Sequence, residues 1–181
     1  MSPADPDRHD SGPLDYERLL PEPAVLRRTF AGFPSGVATI SAHVDGLNEV
    51  VVASSFTVGV SLDPPLVLFA VQNSSRAWPR LRAAPTLGIS VLGSDQDAAC
   101  RQLASGPPED RFRGIEFHRA STEAVFLRHA PVWLECRIWQ EVPAGDHTVV
   151  LLEILGLFRD ETIEPLVFHS STFRRLEPLS S

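Results

Sequence analysis

Two short polar clusters follow apolar segments of the sequence, and together they could bind a ring and an anion. Ser54 and Ser55 interrupt an apolar run and offer hydroxyls and backbone N–H groups to a ligand. Asn73-Ser74-Ser75-Arg76 follows the apolar segment Leu66 to Val71. A polar turn at a helix start can bind an anion through free N–H groups, and the Arg76 guanidinium adds a fork suited to phosphate.

Both clusters also have a plainer interpretation. Ser54 and Ser55 could mark a strand end that faces solvent. Ser75 could be an ordinary helix N-cap, which would place Pro79 inside the first turn. A helix that begins at Pro79 would suit the proline better.

Three weaker clusters lie in loops or near the end of the sequence. Asp110-Arg111-Phe112 follows a predicted helix, and Gly145-Asp146-His147 joins two long predicted strands. Val167-Phe168-His169 and Arg174-Arg175 lie near the C-terminal end. Each is a weak signal alone, since a loop histidine is commonly a solvated surface residue.

Common catalytic motifs are absent from the sequence, which contains no GxGxxG, GxxxxGK[ST], GxSxG or HExxH. Nucleophilic catalysis and zinc hydrolysis therefore have no support. Cys100 and Cys136 form no CxxC pair and have no metal-ligand spacing, so they predict two reduced, buried thiols and no metal site.

Composition limits the class of protein and its partners. The 181 residues fit one domain, and the hydrophobic (43%) and charged (22%) fractions are ordinary for a globular protein. A net charge of −7 argues against nucleic acid as a partner. The start of the sequence lacks signal-peptide features, and no apolar run approaches the ~20 residues that span a bilayer. We therefore expect a cytoplasmic protein with no membrane partner.

The periodicity of apolar residues predicts strands with a few helices between them. Residues 1–21 are acidic and Pro-rich and predict a mobile tail, so the domain is expected at 22–181. Helices are predicted at 22–33, 76–82 and 94–103, the last with Ser94 as N-cap. Strands are predicted at 37–44, 49–54, 56–61, 66–71, 86–92, 132–142, 148–158 and 166–168, with a hairpin turn at Asp45-Gly46 and a bend at Gly156. Seven or eight strands joined largely by hairpins predict a mainly β, mostly antiparallel barrel with flanking helices.

The order of these clusters resembles that of the flavin reductase-like family, the reductase components of two-component flavin-dependent monooxygenases. The similarity covers roughly residues 24–177. Ser54-Ser55-Phe56-Thr57 with Val60 to Pro65 is its most specific part. The other similar segments are Phe33 to Val37, Asn73 to Arg76, Asp110 to Phe112, Trp133 to Cys136 and Ala144 to Thr148.

The resemblance implies an FMN-binding split β-barrel, usually a homodimer, that transfers hydride from NADH or NADPH to FMN or FAD. The reduced flavin would then pass to a separate monooxygenase. It implies that His147 lies where the nicotinamide stacks. The positions it assigns to flavin binding are Ser35, Val52, Ala53, Ser54, Ser55, Asn73, Ser75, Arg76, Arg111 and Phe112. The flavin accepts the hydride, so no protein acid, base or nucleophile is required.

The sequence departs from the family pattern in three places. Val50-Val51-Val52 stand where Gly-Met-Thr is common, Pro79 lies where the family usually keeps a free helix, and Phe173 stands where Tyr is common. One alternative is therefore a split-barrel protein that holds FMN without reducing free flavin. Another is a small-molecule-binding barrel without flavin.

Overall fold

A computed structural model describes residues 22–177, so the tail predicted for residues 1–21 lies outside the described residues. The helices are α1 (Pro23–Ala31), α2 (Trp78–Leu81) and α3 (Asp97–Ala104), with a 3-10 helix at Pro108–Asp110. The strands are β1 (Ser35–Gly36), β2 (Ala38–Val44), β3 (Leu47–Ala53), β4 (Thr57–Leu62), β5 (Pro65–Gln72), β6 (Leu87–Val91), β7 (Phe117–Arg119), β8 (Val125–Leu127), β9 (Val132–Ala144), β10 (His147–Arg159), β11 (Val167–His169) and β12 (Thr172–Arg174).

The main sheet has seven strands in the order β3-β2-β6-β9-β10-β5-β4. Every neighbouring pair is antiparallel, as the hairpin signals predicted. The sheet curls into a barrel, and residues of β3 and β5 face each other across a gap between its two edges. This split, antiparallel barrel confirms the predicted fold class.

The β2–β3 hairpin shows how directly a local signal fixed the register. Asp45 and Gly46 both have positive φ (49° and 81°), which a two-residue loop of this kind requires. The register then runs from Val44 opposite Leu47 to Ala38 opposite Ala53. As a result, the C-terminal end of β3 reaches the gap in the barrel.

The long β9–β10 pair carries two irregularities. The ladder shifts between Ile154 and Gly156, as the predicted bend requires, and again between Leu151 and Leu152. A bulge changes which face the residues beyond it present. Strict alternation along β9 would place Val142 on the same face as the buried Cys136, but Val142 is 40% exposed. The second bulge interrupts the alternation, and it is not visible in the apolar pattern.

Both faces of β2 are buried. Ile40 points into the barrel core, and Ser41 on the opposite face is also fully buried. The β7–β8 hairpin, which the sequence analysis did not predict, covers that second face. The Ser41 hydroxyl donates to the Val125 carbonyl at 3.0 Å, and the Ser90 hydroxyl accepts from the Leu127 N–H at 2.9 Å. Buried hydroxyls on these strands therefore hold the hairpin in place.

The helices differ from their predicted bounds by one to three residues at each end. The helix predicted from Ser94 begins at Asp97, because the Gln96 side chain accepts from the Gly93 N–H while the Ser94 N–H donates to the Glu164 carbonyl. Helix α2 is shorter than predicted and carries Pro79 in its first turn. In α1, the apolar stripe does not pack on the barrel, since Phe30 is 67% exposed.

Both cysteines are buried and free, as predicted. Burial raises the pKa of the Cys136 thiol to about 12 and also raises the pKa of Cys100. Both thiols are therefore neutral near pH 7 and serve as small apolar side chains of the core.

Candidate active site

A cavity of about 640 Å³ opens at the gap between β3 and β5. This volume is typical of small-ligand sites. Its lining comes from distant parts of the chain: Val50, Val51, Val52, Ala53, Ser54, Ser55, Ala70, Val71, Gln72, Ser74, Ser75, Arg76, Ala77, Leu103, Ala104, Arg111 and His147. The barrel thus brings together several of the clusters that are separate in the sequence.

Part of the cavity lining is apolar. Residues Val50 to Ala53 of β3 form one wall, and Ala70 and Val71 of β5 with Leu103 and Ala104 of α3 complete it. Apolar walls of this kind suit the faces of a flat aromatic ring and exclude water from it. The valines at 50 to 52, noted above as departures from the family pattern, are part of this wall.

The side chains of the adjacent residues Ser54 and Ser55 make different contacts. The Ser55 hydroxyl donates to the Ala70 carbonyl at 3.1 Å and accepts from the Ala70 N–H at 3.0 Å. The β4–β5 ladder starts with Thr57 opposite Leu68, and the Ser55 side chain takes the place of the next strand partner, opposite Ala70. Ser54 is exposed at the cavity and makes no side-chain hydrogen bond within residues 22–177. Ser54 is therefore the serine whose hydroxyl is free for a ligand.

One end of the cavity carries a positive charge. Arg76 is exposed there, and it has no ion-pair partner in the described part of the chain, whereas Arg80 and Arg82 each pair with a glutamate. The Ser75 hydroxyl accepts from the Trp78 N–H at 3.2 Å, but the N-cap residue of α2 is Ala77, so the interpretation of Ser75 as the N-cap was wrong. Helix α2 has only four residues, so an anion here would depend on the guanidinium and not on a helix dipole.

Helix α2 is fixed by residues that the sequence analysis did not select. The Trp78 indole N–H donates to Glu141 at 3.0 Å, and Arg82 pairs with the other oxygen of that carboxylate at 2.7 Å. Arg80 pairs at 2.8 Å with Glu49, which is only 3% exposed. These partners on β9 and β3 hold the backbone that presents Arg76 to the cavity.

A second arginine reaches the cavity from the loop after α3. Arg111 donates to the Val50 carbonyl at 3.3 Å and to the Gly106 carbonyl at 3.4 Å. The Gln102 side-chain amide lies within 2.8–3.3 Å of three carbonyl oxygens of that loop, including that of Arg111. The loop conformation thus depends on Gln102, which carries no motif signal in the sequence.

His147, the first residue of β10, also lines the cavity, and it is the strand partner of Gln72 on β5. Its Nδ1 lies 2.7 Å from a carboxylate oxygen of Asp146, and this hydrogen bond lowers the pKa of Asp146. The ionised Asp146 accepts from Nδ1–H, which leaves Nε2 of His147 as the nitrogen available to a ligand. The side chain of His147 is 35% exposed, as expected for a group at a cavity mouth.

The structure brings eight of the eleven predicted site residues to this cavity. The other three lie elsewhere. Ser35 pairs with Phe168 in the small sheet formed by β1, β11 and β12. Phe112 packs edge-to-face on Phe117 at 5.5 Å and lines a separate cavity of about 210 Å³. Asn73 is not a lining residue either, and its side chain bonds to the turn that carries His147.

Residues 22–177 contain no group of three or more His, Cys, Asp or Glu arranged to hold a metal ion. Among the helices within that range, none is both long and apolar enough to cross a membrane.

Comparison with known proteins agrees with this geometry. The model of the flavin reductase like domain family matches residues 30–177. An NADH-dependent flavin reductase of Rhodococcus sp is 35% identical over 173 residues, which cover 93% of each chain. The solved structure of the NADH:FAD oxidoreductase of Streptomyces globisporus is 36% identical in sequence and has a TM-score of 0.82. The match covers 90% of this chain and 99% of that one. A further structure shows that protein in complex with NAD and FAD fragments. The flavin reductase component of a bacterial two-component tryptophan halogenase is 31% identical with a TM-score of 0.79, covering 87% of this chain and 100% of its own.

The fold and these comparisons together place the chain in the class of flavin reductases. The chain belongs to the flavin reductase-like domain family, and it is an oxidoreductase that reduces flavin with a nicotinamide cofactor.

Proposed function

We propose that this flavin reductase binds FMN or FAD in the cavity between β3 and β5, with the phosphate at Arg76 and the nicotinamide beside His147. The observation that carries the proposal is the convergence of eight motif residues on one cavity. An exposed arginine without an ion-pair partner in residues 22–177 stands at one end, and an imidazole stands at the mouth. An apolar slot with a cationic end fits a flat ring that carries a phosphate.

The chain contributes binding, orientation and exclusion of water. When both ligands are bound, the reduced nicotinamide supplies a hydride and the flavin accepts it. The apolar walls at Val50–Ala53 and Ala70–Val71 hold the ring and keep water from its faces. Ser54 would offer a hydroxyl to the bound flavin, and Arg111, which is held by the Val50 carbonyl, would add positive charge to the site. No protein group has to act as acid or base, which agrees with the absence of a catalytic dyad among the lining residues.

The proposed task of His147 is to position the nicotinamide. Asp146 holds the imidazole through Nδ1, so Nε2 can bond to the carboxamide or the pyrophosphate of the dinucleotide. The exposure of this side chain at the cavity mouth leaves room for a second ring against the first.

We expect His147→Ala to raise the KM for NADH, or to slow reduction of bound flavin, by at least about tenfold, which corresponds to ~1.4 kcal/mol. Flavin affinity should stay within about threefold, because the phosphate contact lies at Arg76. Anaerobic stopped-flow reduction over a range of NADH concentrations measures both effects. The control is His129→Asn, which removes another exposed imidazole and tolerates the positive φ (63°) of that position. Equal KM values for NADH and equal reduction rates in the two variants would show that His147 is an ordinary surface histidine with no role toward the nicotinamide.

The reduced flavin is proposed to leave for a separate monooxygenase. The cavity is open to solvent, and the proposed phosphate contact is a single arginine, which favours exchange over permanent retention. The related structure named above is the reductase component of a two-component halogenase, which supports a separate oxygenase here.

Two relatives of this chain have names that specify NADH, which favours NADH over NADPH as the hydride donor. Comparing kcat/KM for FMN and FAD, each with NADH and with NADPH, decides both the preferred flavin and the preferred nicotinamide cofactor. The free buried thiols and the need for NADH support a cytoplasmic location.

The homodimer is proposed from apolar side chains left exposed on β4 and β10. We name Val58, Val60, Leu62, Leu155 and Leu157 the strand apolar surface; Leu62 is 90% and Leu157 is 75% exposed. Large exposed apolar surfaces of this kind mark interfaces. A second subunit over this surface would also limit access of water to the nearby cavity.

We expect light scattering at micromolar concentration to give about twice the chain mass of 19.8 kDa. Leu62→Asp should give a folded monomer, because the side chain contributes little to the protomer core and the charge would be buried at the interface. Leu176→Asp is the control, since Leu176 is also exposed (55%) but lies outside the strand apolar surface. A wild-type protein of single-chain mass would contradict the dimer.

A further inference from the structure

Asn73 connects two neighbouring segments of the candidate site through three hydrogen bonds. Its backbone N–H donates to the Asp146 carbonyl at 3.0 Å, and its side-chain Nδ2 donates to the Gly145 carbonyl at 3.2 Å. Its Oδ1 accepts from the Thr148 hydroxyl at 2.9 Å. All three bonds go to the turn that carries His147, while Asn73 itself begins the polar turn that ends at Arg76.

Strand pairing holds the residues that flank this turn but not Gly145 and Asp146 between them. The β9–β10 ladder ends at the pair Ala144 and His147, and the β5–β10 ladder ends at the pair Gln72 and His147. Gly145 has a positive φ (65°), and the Asp146 side chain is 94% exposed. Asn73 is the first residue after β5. Its hydrogen bonds therefore continue the contact between β5 and β10 by one residue beyond the last strand pair.

The Asn73 carboxamide has the hydrogen-bonding groups that are needed to hold the turn that carries His147. A carboxamide has one donor group and one acceptor group, and here the donor meets a carbonyl while the acceptor meets a hydroxyl. Because both ends of the Asn73 side chain are engaged by the protein and Asn73 does not line the cavity, a direct phosphate contact has no geometric support.

We infer that Asn73 is a positioning residue: it fixes the 145–148 turn so that the His147 imidazole faces the cavity, and it links that turn rigidly to the Arg76 turn. The inference rests on the proposed role of His147 toward the nicotinamide. It assigns to Asn73 a nicotinamide effect that acts through His147, in place of the flavin-phosphate contact that the family resemblance implied.

The test is a double-mutant cycle on the full chain, with KM for NADH, kcat and the Kd for FMN measured for each protein. Asn73→Ala is expected to raise the KM for NADH about five- to tenfold and to leave the FMN Kd within threefold. Asn73→Ala combined with His147→Ala should be no worse than His147→Ala alone, because the first residue acts through the second. Multiplied effects in the double variant would overturn the inference.

Thr148→Val gives a second variant that keeps the shape of the side chain and removes only its donation to Asn73 Oδ1. We expect a two- to fivefold rise in the KM for NADH, absent when His147 is already alanine. Thr86→Val is the matched control, since the Thr86 hydroxyl also makes one such bond, to the Thr122 carbonyl at 2.9 Å, far from the cavity. Equal KM values for the two threonine variants would contradict the inference, even if Asn73→Ala fails to fold.

Other outcomes separate this inference from the proposed function. If Asn73→Ala loses FMN affinity and keeps riboflavin affinity, Asn73 contacts the phosphate directly and the inference is wrong. If His147→Ala shows the expected kinetic defect but Asn73→Ala and Thr148→Val both match the wild type, the inference fails while the proposed function stands. If His147→Ala itself matches the wild type, the role of His147 fails, and the inference fails with it.

Discussion

Replacing Arg76 with alanine is expected to weaken FMN binding by about 1.5–3 kcal/mol, or roughly 10- to 150-fold, and to leave riboflavin binding unchanged. The magnitude is that of a charge-assisted hydrogen bond. The reason is that Arg76 is exposed at the cavity and has no ion-pair partner in the described residues, so its guanidinium is available to an anion. Riboflavin has no phosphate and cannot use that contact.

Fluorescence titration of both flavins measures the effect in wild type and variant. Arg76→Lys should recover part of the affinity, because lysine keeps the charge and loses the bidentate fork. Arg128→Ala is the control, since it removes another exposed cation that is not a lining residue of the cavity. Equal losses for FMN and riboflavin in Arg76→Ala would show that Arg76 supports the fold of the site and does not bind the phosphate.

Gly88→Ala is expected to destabilise the protein by about 3 kcal/mol or more, which lowers the Tm by about 6–12 °C. A Cβ at position 88 would lie 2.2 Å from the Val125 carbonyl oxygen, and 2.7 and 2.8 Å from two further backbone atoms of that residue. The clash is with backbone, so no rotamer change relieves it. The β8 segment would have to leave β6, which would expose Ser41 and Ser90 without their partners.

Thermal denaturation followed by circular dichroism measures the loss. Gly36→Ala is the matched control: it sits in β1, and a Cβ there would meet nothing within 4 Å. We expect its Tm to stay within about 2 °C of wild type. A Gly88→Ala protein as stable as the Gly36→Ala protein would contradict the packing of β8 on β6.

The parts of the fold that the sequence predicted are those determined by local signals. Asp45-Gly46 set the β2–β3 register, and Gly156 marked the bend in β10. The short β7–β8 hairpin escaped prediction because its strands have three residues each and no alternating pattern. Its position depends on the Gly88 contact and on two buried serines, which are visible only in three dimensions.

The same distinction applies to the site. Ser54, Arg76 and His147 lie in motifs at strand ends, and the barrel brings those ends together. The residues that hold them were missed because they act over long separations: Glu141 accepts from Trp78, 63 positions away. Glu141 and Gln102 look like ordinary polar residues of a strand and a helix until their partners are known.

The central claim is that this chain reduces flavin that it does not retain. The most direct measurement is anaerobic: a small amount of purified protein is mixed with excess NADH and a large excess of free FMN or FAD, and flavin bleaching is followed to completion. We predict bleaching of many flavin equivalents per protein, at a rate that rises with flavin concentration until it saturates. Reduction that stops at one bound flavin per chain, or none, would contradict the claim and favour a protein that only holds its flavin.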